Sequence, residues 1–265
     1  MSSDYIFRKE NIDFYLKELA KDFIKLNGKT TPAEIVIVGG ASILINYGFR
    51  DATQDIDAVY RASSAMKDAI HRTGDRLNLP NGWLNQDFRN VSEGVEGKLI
   101  AHSKHYRTFN RILEIRTVSD EYLIAMKLKS GRQYKNDLSD VAGIILEKSK
   151  ENAPIPFDAI DNAVCELYGS WDSLDADVVA DFKGLYSLST EELAERYKYL
   201  KKQELSNKDA LVSFEKVYPG TLNKENLKEI VENLKKPSVL SALKEKQTQI
   251  EMDNSAHEEV SYDDR

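Results

Sequence analysis

The sequence predicts an α/β (α+β) fold, a small mixed sheet flanked by helices and followed by a mostly helical unit. Three observations predict it. Short β-branched runs of strand length stand at 34–38 and 111–118, amphipathic stretches with apolar residues every three or four positions lie around them, and a charged helical pattern follows Pro154 and Pro156. A chain of 265 residues with 41% hydrophobic content can bury a core and has the length of one or two domains.

Ile12, Leu16, Leu19, Phe23 and Leu26 recur at helical spacing between charged residues, which predicts an amphipathic helix ended by Asn27-Gly28. The run Glu34-Ile35-Val36-Ile37-Val38 then reads as a strand closed by Gly39-Gly40, and 41–47 suits a helix start. After a turn-like stretch at 48–54, Asp55-Ile56-Asp57-Ala58-Val59-Tyr60 alternates as a second strand, and 63–76 is helical in pattern. Pro80, Asn81-Gly82, Gly94 and Gly97 punctuate a loop-like 78–97, with Trp83 and Leu84 expected to anchor it in the core. The run 111–118 predicts a third strand. Ser119 is placed to cap a helix through Lys129, with Asp120 and Glu121 at its positive end. Leu138, Val141, Ile144 and Ile145 share one face of a further helix over about 136–148. These patterns divide the chain into a first domain at 1–150, a helical unit at 151–237 with a capping box at Ser189-Thr190-Glu191-Glu192, and a flexible acidic tail at 238–265.

The net charge of -7 means that the whole-chain field does not draw the protein onto polyanions. Locally, Lys98, His102, Lys104, His105, Arg107, Arg111 and Arg116 form a cationic stretch that fits either a phosphate-facing groove or a solvated hairpin surface. The lone Cys165 excludes an intrachain disulfide. The first residues lack a basic start followed by an apolar run, and no stretch approaches the ~20 apolar residues of a membrane span. A cytoplasmic protein without a membrane segment is the expectation.

The residues that point to chemistry are Gly39, Gly40, Ser42, Asp55 and Asp57. Gly-Gly lets the backbone approach a ligand with no β-carbon in the way, and the helix after it presents N–H groups to an anion; Ser42 adds a hydroxyl. Asp55 and Asp57 stand two apart on an expected strand, so they share a face at roughly 7 Å and can converge on one or two Mg²⁺ ions. Such ions neutralise a triphosphate and stabilise the oxygens of an in-line displacement. Either piece alone is common as a turn or a solvated surface; the order strand, glycines, strand with acids makes the combination specific. No P-loop, His-rich metal cluster or G-x-S-x-G elbow competes with it. Trp83 and Trp171 are expected to pack rather than to stack on a base.

Val38-Gly39-Gly40-Ala41-Ser42 followed by Thr53-Gln54-Asp55-Ile56-Asp57 resembles the signature of the DNA-polymerase-β-like nucleotidyltransferase superfamily. More closely, with Trp83-Leu84-Asn85, Tyr122 to Leu128, Arg132 and Asp137-Leu138-Ser139-Asp140, the chain resembles the bacterial AbiEii-type toxin proteins over about residues 10–148. The resemblance implies a small nucleotidyltransferase fold. In it Asp55 and Asp57 bind Mg²⁺ or Mn²⁺, and Gly39, Gly40, Ser42, Thr53 and Arg132 hold the nucleoside triphosphate. Lys127 and Asp137 complete the site, the first as a cation for a phosphate, the second as a base or orienting group. A snorkelling lysine and a helix cap are the structural alternatives for that pair. Many superfamily members carry a third carboxylate on a later strand, and Glu114 is the one candidate for it here. The implied reaction moves a nucleoside monophosphate to an acceptor, for which the resemblance points to RNA ends, tRNA above all, while a protein side chain or a small molecule fits the sequence equally well. If the resemblance extends to biology, the chain is the toxin half of a toxin/antitoxin or phage-defence pair, with an antitoxin as partner. The rival expectation is a catalytically degenerate nucleotide sensor or interaction protein of the same fold.

Overall fold

The computed structural model describes residues 6–61, 64–86, 94–223 and 226–235. The expected tail at 238–265 lies outside them. The mixed α/β fold is as the sequence predicts: a five-stranded sheet in the order β3-β2-β1-β5-β4. Its strands are β1 (Ala33–Ile37), β2 (Ile56–Arg61), β3 (Leu84–Asn85), β4 (Ser103–Phe109) and β5 (Leu113–Val118). β1 runs parallel to β5 and antiparallel to β2. The sheet is therefore mixed about its most apolar strand.

Side-chain alternation sends Ile35, Ile37, Ile56, Ala58, Leu113 and Ile115 to one face and Val36, Val38, Val59 and Val118 to the other. The first face is covered by α1 (Lys9–Asn27) and α3 (Ser64–Leu77), and Gly28 closes α1 at φ 77° as its position after Asn27 requires. Asp22, fully buried, accepts from Thr73 Oγ1 at 3.1 Å and from Arg76 Nη2 at 2.7 Å and so joins those two helices. The second face is covered by α4 (Glu96–Ala101), α5 (Asp120–Ser130), α6 (Asp137–Lys150), α7 (Phe157–Tyr168), α8 (Ala176–Tyr186) and the start of α9 (Thr190–Val217).

This packing gathers the chain into two compact units. The first compact unit takes in the chain up to Arg132 together with Asn136–Lys202. The physical reason is a shared core: Ile160, Val164, Phe182 and Leu193 bury their side chains in the cluster that contains Val36 and Val59. The second unit comprises, among the described residues, 133–135, 203–223 and 226–235, including the rest of α9 and α10 (Leu227–Lys235). Within it, the Glu215 carboxylate accepts from the N–H of Gly220 at 2.6 Å, and Asn207 Nδ2 donates to the Gln133 carbonyl at 2.6 Å.

Several local expectations meet their test here. Trp83 is 2% exposed, its Nε1 donates to the Ile70 carbonyl at 3.1 Å, and its own carbonyl takes the N–H of Ile56 at 2.8 Å. Trp171 packs against Phe157 and Phe182, with centroid distances of 5.9 and 5.5 Å. The Ser189–Glu192 capping box forms in both directions, at 3.0 and 3.3 Å. Ser119 stands at the N-cap of α5, yet its hydroxyl donates to Glu121 Oε1 at 2.6 Å instead of accepting from the helix N–H groups. No described helix is long and apolar enough to cross a membrane.

Candidate active site

The site grows from the C-terminal end of β1. Val38 closes the strand by donating its N–H to the Asp57 carbonyl at 2.9 Å, and α2 (Gly39–Asn46) starts at once. Gly39 has φ 60°, a left-handed value that glycine takes without strain. Asp57 alternates onto the Val59 face of β2, and its Oδ2 lies 2.9 Å from where a β-carbon on Gly39 would stand. The acid therefore meets the glycine bend. Asp55 stands one residue before β2 begins and is exposed to solvent.

Gly40 is crowded in the same way. A β-carbon there would come within 2.7 Å of Arg50 Nη2 and 3.1 Å of Thr53 Oγ1. Both side chains belong to the loop between α2 and β2, which is pinned at two places. The Phe49 ring rests where a β-carbon on Gly143 of α6 would be, at 2.7 Å, and Thr53 exchanges backbone hydrogen bonds with Phe7 at 2.8 and 2.9 Å. Arg50 is thus held over the turn by anchors on either side. Its Nε donates to the Ala52 carbonyl at 3.2 Å, and its Nη1 pairs with Asp140.

From Asp140 a buried charge ladder continues. Lys127 Nζ lies 2.8 Å from Asp140 Oδ2 and 2.9 Å from Asp137 Oδ1, and Arg132 Nε lies 2.8 Å from Asp137 Oδ2. Asp137 and Asp140 stand three apart at the start of α6, so both face Lys127 on α5. Burial disfavours the Lys127 charge, but the carboxylates of Asp137 and Asp140 outweigh it and hold the ammonium above its ordinary pKa. Burial likewise works against ionised Asp137, yet Lys127 and Arg132 hold its carboxyl well below the usual carboxylate range. A carboxylate so committed accepts a proton poorly, so Asp137 suits the positioning of Lys127 and Arg132 better than the role of base.

Two expected participants are placed differently. Ser42 is fully buried and its Oγ has no hydrogen-bond partner among the described residues, so its hydroxyl is not presented to solvent beside Gly40. Glu114 shares the Asp57 face of the sheet but not its end: Glu34 pairs with both Glu114 and Arg61, four residues along β2 from Asp57, a separation of roughly 13 Å. The hydrogen bond from Arg116, at 3.0 Å, holds the Glu114 carboxyl below the usual range. On β5 the residues level with Asp57 are Thr117 and Val118, and neither is an acid.

The donor set fits a hard cation that depends on its substrate. Mg²⁺ is commonly held by one or two carboxylates, with phosphate oxygens and water filling the other positions. Among the described residues, no group of three or more His, Cys, Asp or Glu side chains could hold a metal by itself. Asp55 and Asp57 are the two carboxylates beside the bend that could contribute to such a site.

Arg50 and Asp140 are the site residues that the sequence did not single out. Arg50 lies in an aperiodic stretch that reads as a turn, whereas Asp140 carries a legible signal in its i, i+3 spacing from Asp137. Lys98 and His102 of the cationic stretch fall on and at the end of α4, and in the β4–β5 hairpin Lys104 pairs with Asp120 at 2.9 Å and Arg107 with Asp13 at 2.6 Å, while His105 Nδ1 lies 3.4 Å from Glu114 Oε1. That pairing is the solvated-surface alternative, not an open phosphate groove.

The bend offers a direct test. Gly39→Ala places a β-carbon at a positive φ, at about 1–2 kcal/mol, and pushes on the Asp57 carboxylate. The expected outcome is a melting temperature lower by roughly 2–8 °C together with weaker binding of Mg-ATP. Unchanged nucleotide affinity in that variant removes the bend from the site.

No curated protein matches the chain. A family match, however, spans residues 15–151, and so takes in the glycine bend, both aspartates and the charge ladder from Arg50 to Asp140. That stretch is more than half of the sequence, and the chain belongs to the nucleotidyltransferase family of unknown function described as DUF6036.

Proposed function

We propose that the protein transfers a nucleoside monophosphate from a nucleoside triphosphate to an acceptor hydroxyl. The observation that carries this reading is the contact of Asp57 with Gly39, which sets a carboxylate against a backbone bend with open N–H groups. In the reaction an acceptor oxygen attacks the α-phosphorus, a new P–O bond forms, the bond to the bridging oxygen breaks, and pyrophosphate leaves. Gly39 and Gly40 receive the phosphates on the backbone N–H groups of the first turn of α2, with the positive end of the helix dipole behind them. Arg50 holds a guanidinium nitrogen over the same turn, where it can bind a phosphate oxygen. Asp55 and Asp57 would hold Mg²⁺ or Mn²⁺, which supplies positive charge against the triphosphate and the leaving pyrophosphate. Asp137 and Asp140 keep Lys127 protonated and fix its direction, so that it is a cation at any physiological pH.

Acceptor and biology rest on the AbiEii-type resemblance alone. An RNA end, tRNA included, is the acceptor class proposed first and a protein side chain the second; an antitoxin is the proposed partner. A sensor that binds nucleotide without transferring it is favoured by one observation, the placement of Glu114 at the far end of the sheet from Asp57.

The test incubates the protein with each of the four α-labelled nucleoside triphosphates and Mg²⁺, in the presence of total RNA or of a protein extract. Metal-dependent transfer of label to either acceptor is the expected result. Metal-dependent binding without transfer establishes the sensor, and absence of both binding and transfer overturns the reading.

A further inference from the structure

Arg50 also lines a cleft of about 210 Å³, together with Phe49, Asn136, Asp140, Tyr197 and Lys201. The volume is below that of a site for a whole drug-sized ligand and suits one part of a larger one. Gly39, Gly40 and Asp57 do not line it, so Arg50 is the link: one nitrogen stands over the Gly40 turn while the guanidinium borders the cleft. A ligand with its phosphates on the turn can extend past Arg50 into this space.

The chemistry of the walls narrows what that extension is. Among the lining residues two cations meet two carboxylates, Arg50 with Asp140, which it shares with the buried Lys127, and Lys201 with Asp51 at 3.4 Å. A phosphate chain or an RNA backbone finds no surplus positive charge there, whereas an uncharged polar body loses nothing. Two aromatic rings are present: Phe49 and Tyr197 meet at 5.8 Å and 76°, and the Tyr197 hydroxyl donates to the Phe49 carbonyl at 3.3 Å. Asn136, exposed at the N-terminal end of α6, has an amide with both donor and acceptor groups, suited to the edge of a base. Flat rings, a two-way amide and a neutral lining are the features that bind a nucleobase and its sugar.

We propose that this cleft receives the base and ribose of the nucleotide, with Tyr197 and Asn136 setting which base is preferred. The inference rests on the placement of the phosphates at Gly39 and Gly40 given above. It also means that part of the nucleotide site comes from beyond the matched stretch 15–151, because Tyr197 and Lys201 lie on α9.

The experiment is calorimetric titration of the full chain with the Mg²⁺ complexes of ATP, GTP, CTP and UTP and, separately, of inorganic tripolyphosphate. The wild type is expected to bind at least one nucleotide about tenfold more tightly than tripolyphosphate. Tyr197→Ala and Asn136→Ala are each expected to weaken that nucleotide by about tenfold and to leave tripolyphosphate unchanged, with Tyr197→Phe retaining most of the affinity. A melting curve of each variant confirms that it is folded, and Asn136, being exposed, carries the test if Tyr197→Ala is not. Nucleotide binding that is unchanged in both variants, or lost in step with tripolyphosphate, overturns the cleft while leaving the glycine turn standing. Displacement from these variants' positions by a short RNA, with no effect of the mononucleotides, overturns it in favour of an acceptor site. Failure of the wild type to bind either nucleotide or tripolyphosphate overturns the phosphate placement itself, and this proposal with it.

Discussion

Asp57→Asn is expected to lower nucleotidyl transfer by roughly a thousand-fold, about 4 kcal/mol of transition-state stabilisation, while the protein stays folded. The substitution keeps the shape of the side chain against Gly39 and removes only its charge, and with it the carboxylate that meets the bend. Asp57 is half-buried and stands at the first turn of β2, so nothing in the apolar core is opened by the change. Single-turnover transfer at saturating Mg²⁺, set beside a thermal melt, checks both parts. A melting temperature that falls by ten degrees or more would give Asp57 a structural role, and full activity would remove the metal from it.

The second large effect is on stability. Lys127→Met leaves Asp137 and Asp140, whose side chains are 1% and 3% exposed, without the ammonium that lies between them. Breaking a buried pair from one side costs about 3–5 kcal/mol, and here Asp137 keeps Arg132 and Asp140 keeps Arg50 as remaining partners. For a protein of this size that corresponds to a melting temperature lower by roughly 6–20 °C.

The pH dependence has a definite sign. In the wild type, Asp137 ionises below its ordinary value of about 3.9, so its contribution is present above that pH and is lost as the pH falls through the depressed folded value. Lys127 is raised, so its contribution is complete below the ordinary lysine value of about 10.4 and is lost only at higher pH. In the variant the two carboxylates, left with Arg132 and Arg50 alone, are more easily protonated. The gap between wild type and variant should therefore narrow on acidification, as read from denaturant unfolding between about pH 6 and pH 2. A constant gap would mean that the loss is one of packing alone.

The parts of the fold that the sequence made legible are those set by local pattern. The β-branched run before Gly39-Gly40 could only be a buried strand and its closing turn, and the helical spacing of Leu138, Val141, Ile144 and Ile145 marked α6. Asp57 was legible as a candidate because its chemistry and its strand position coincide, and Lys127 with Asp137 entered through the family resemblance; their pairing at 2.9 Å is what the structure adds. What escaped depends on register and on distant packing. β4 alternates polar residues on a sheet edge and so has no apolar signal to read. Glu114 looked like a third ligand until the pairing of β1 with β5 fixed how far along the sheet it sits. Arg50 acquires its place only because Phe49 rests on Gly143 and Thr53 on Phe7, contacts across 94 and 46 residues of sequence that no local pattern encodes. The packing of α7 on α5 and of α8 on α5 and α6 is of the same kind, since an apolar helix face does not name its partner.

The seat of Trp83 makes the molecule its own optical reporter. Its carbonyl is bonded to the amide of Ile56, the residue flanked by Asp55 and Asp57, and the chain has only two tryptophans. With Trp171 replaced by phenylalanine, indole emission follows a single ring whose surroundings change whenever the acid-bearing strand shifts. Intrinsic fluorescence can then time the arrival of metal or nucleotide without any label.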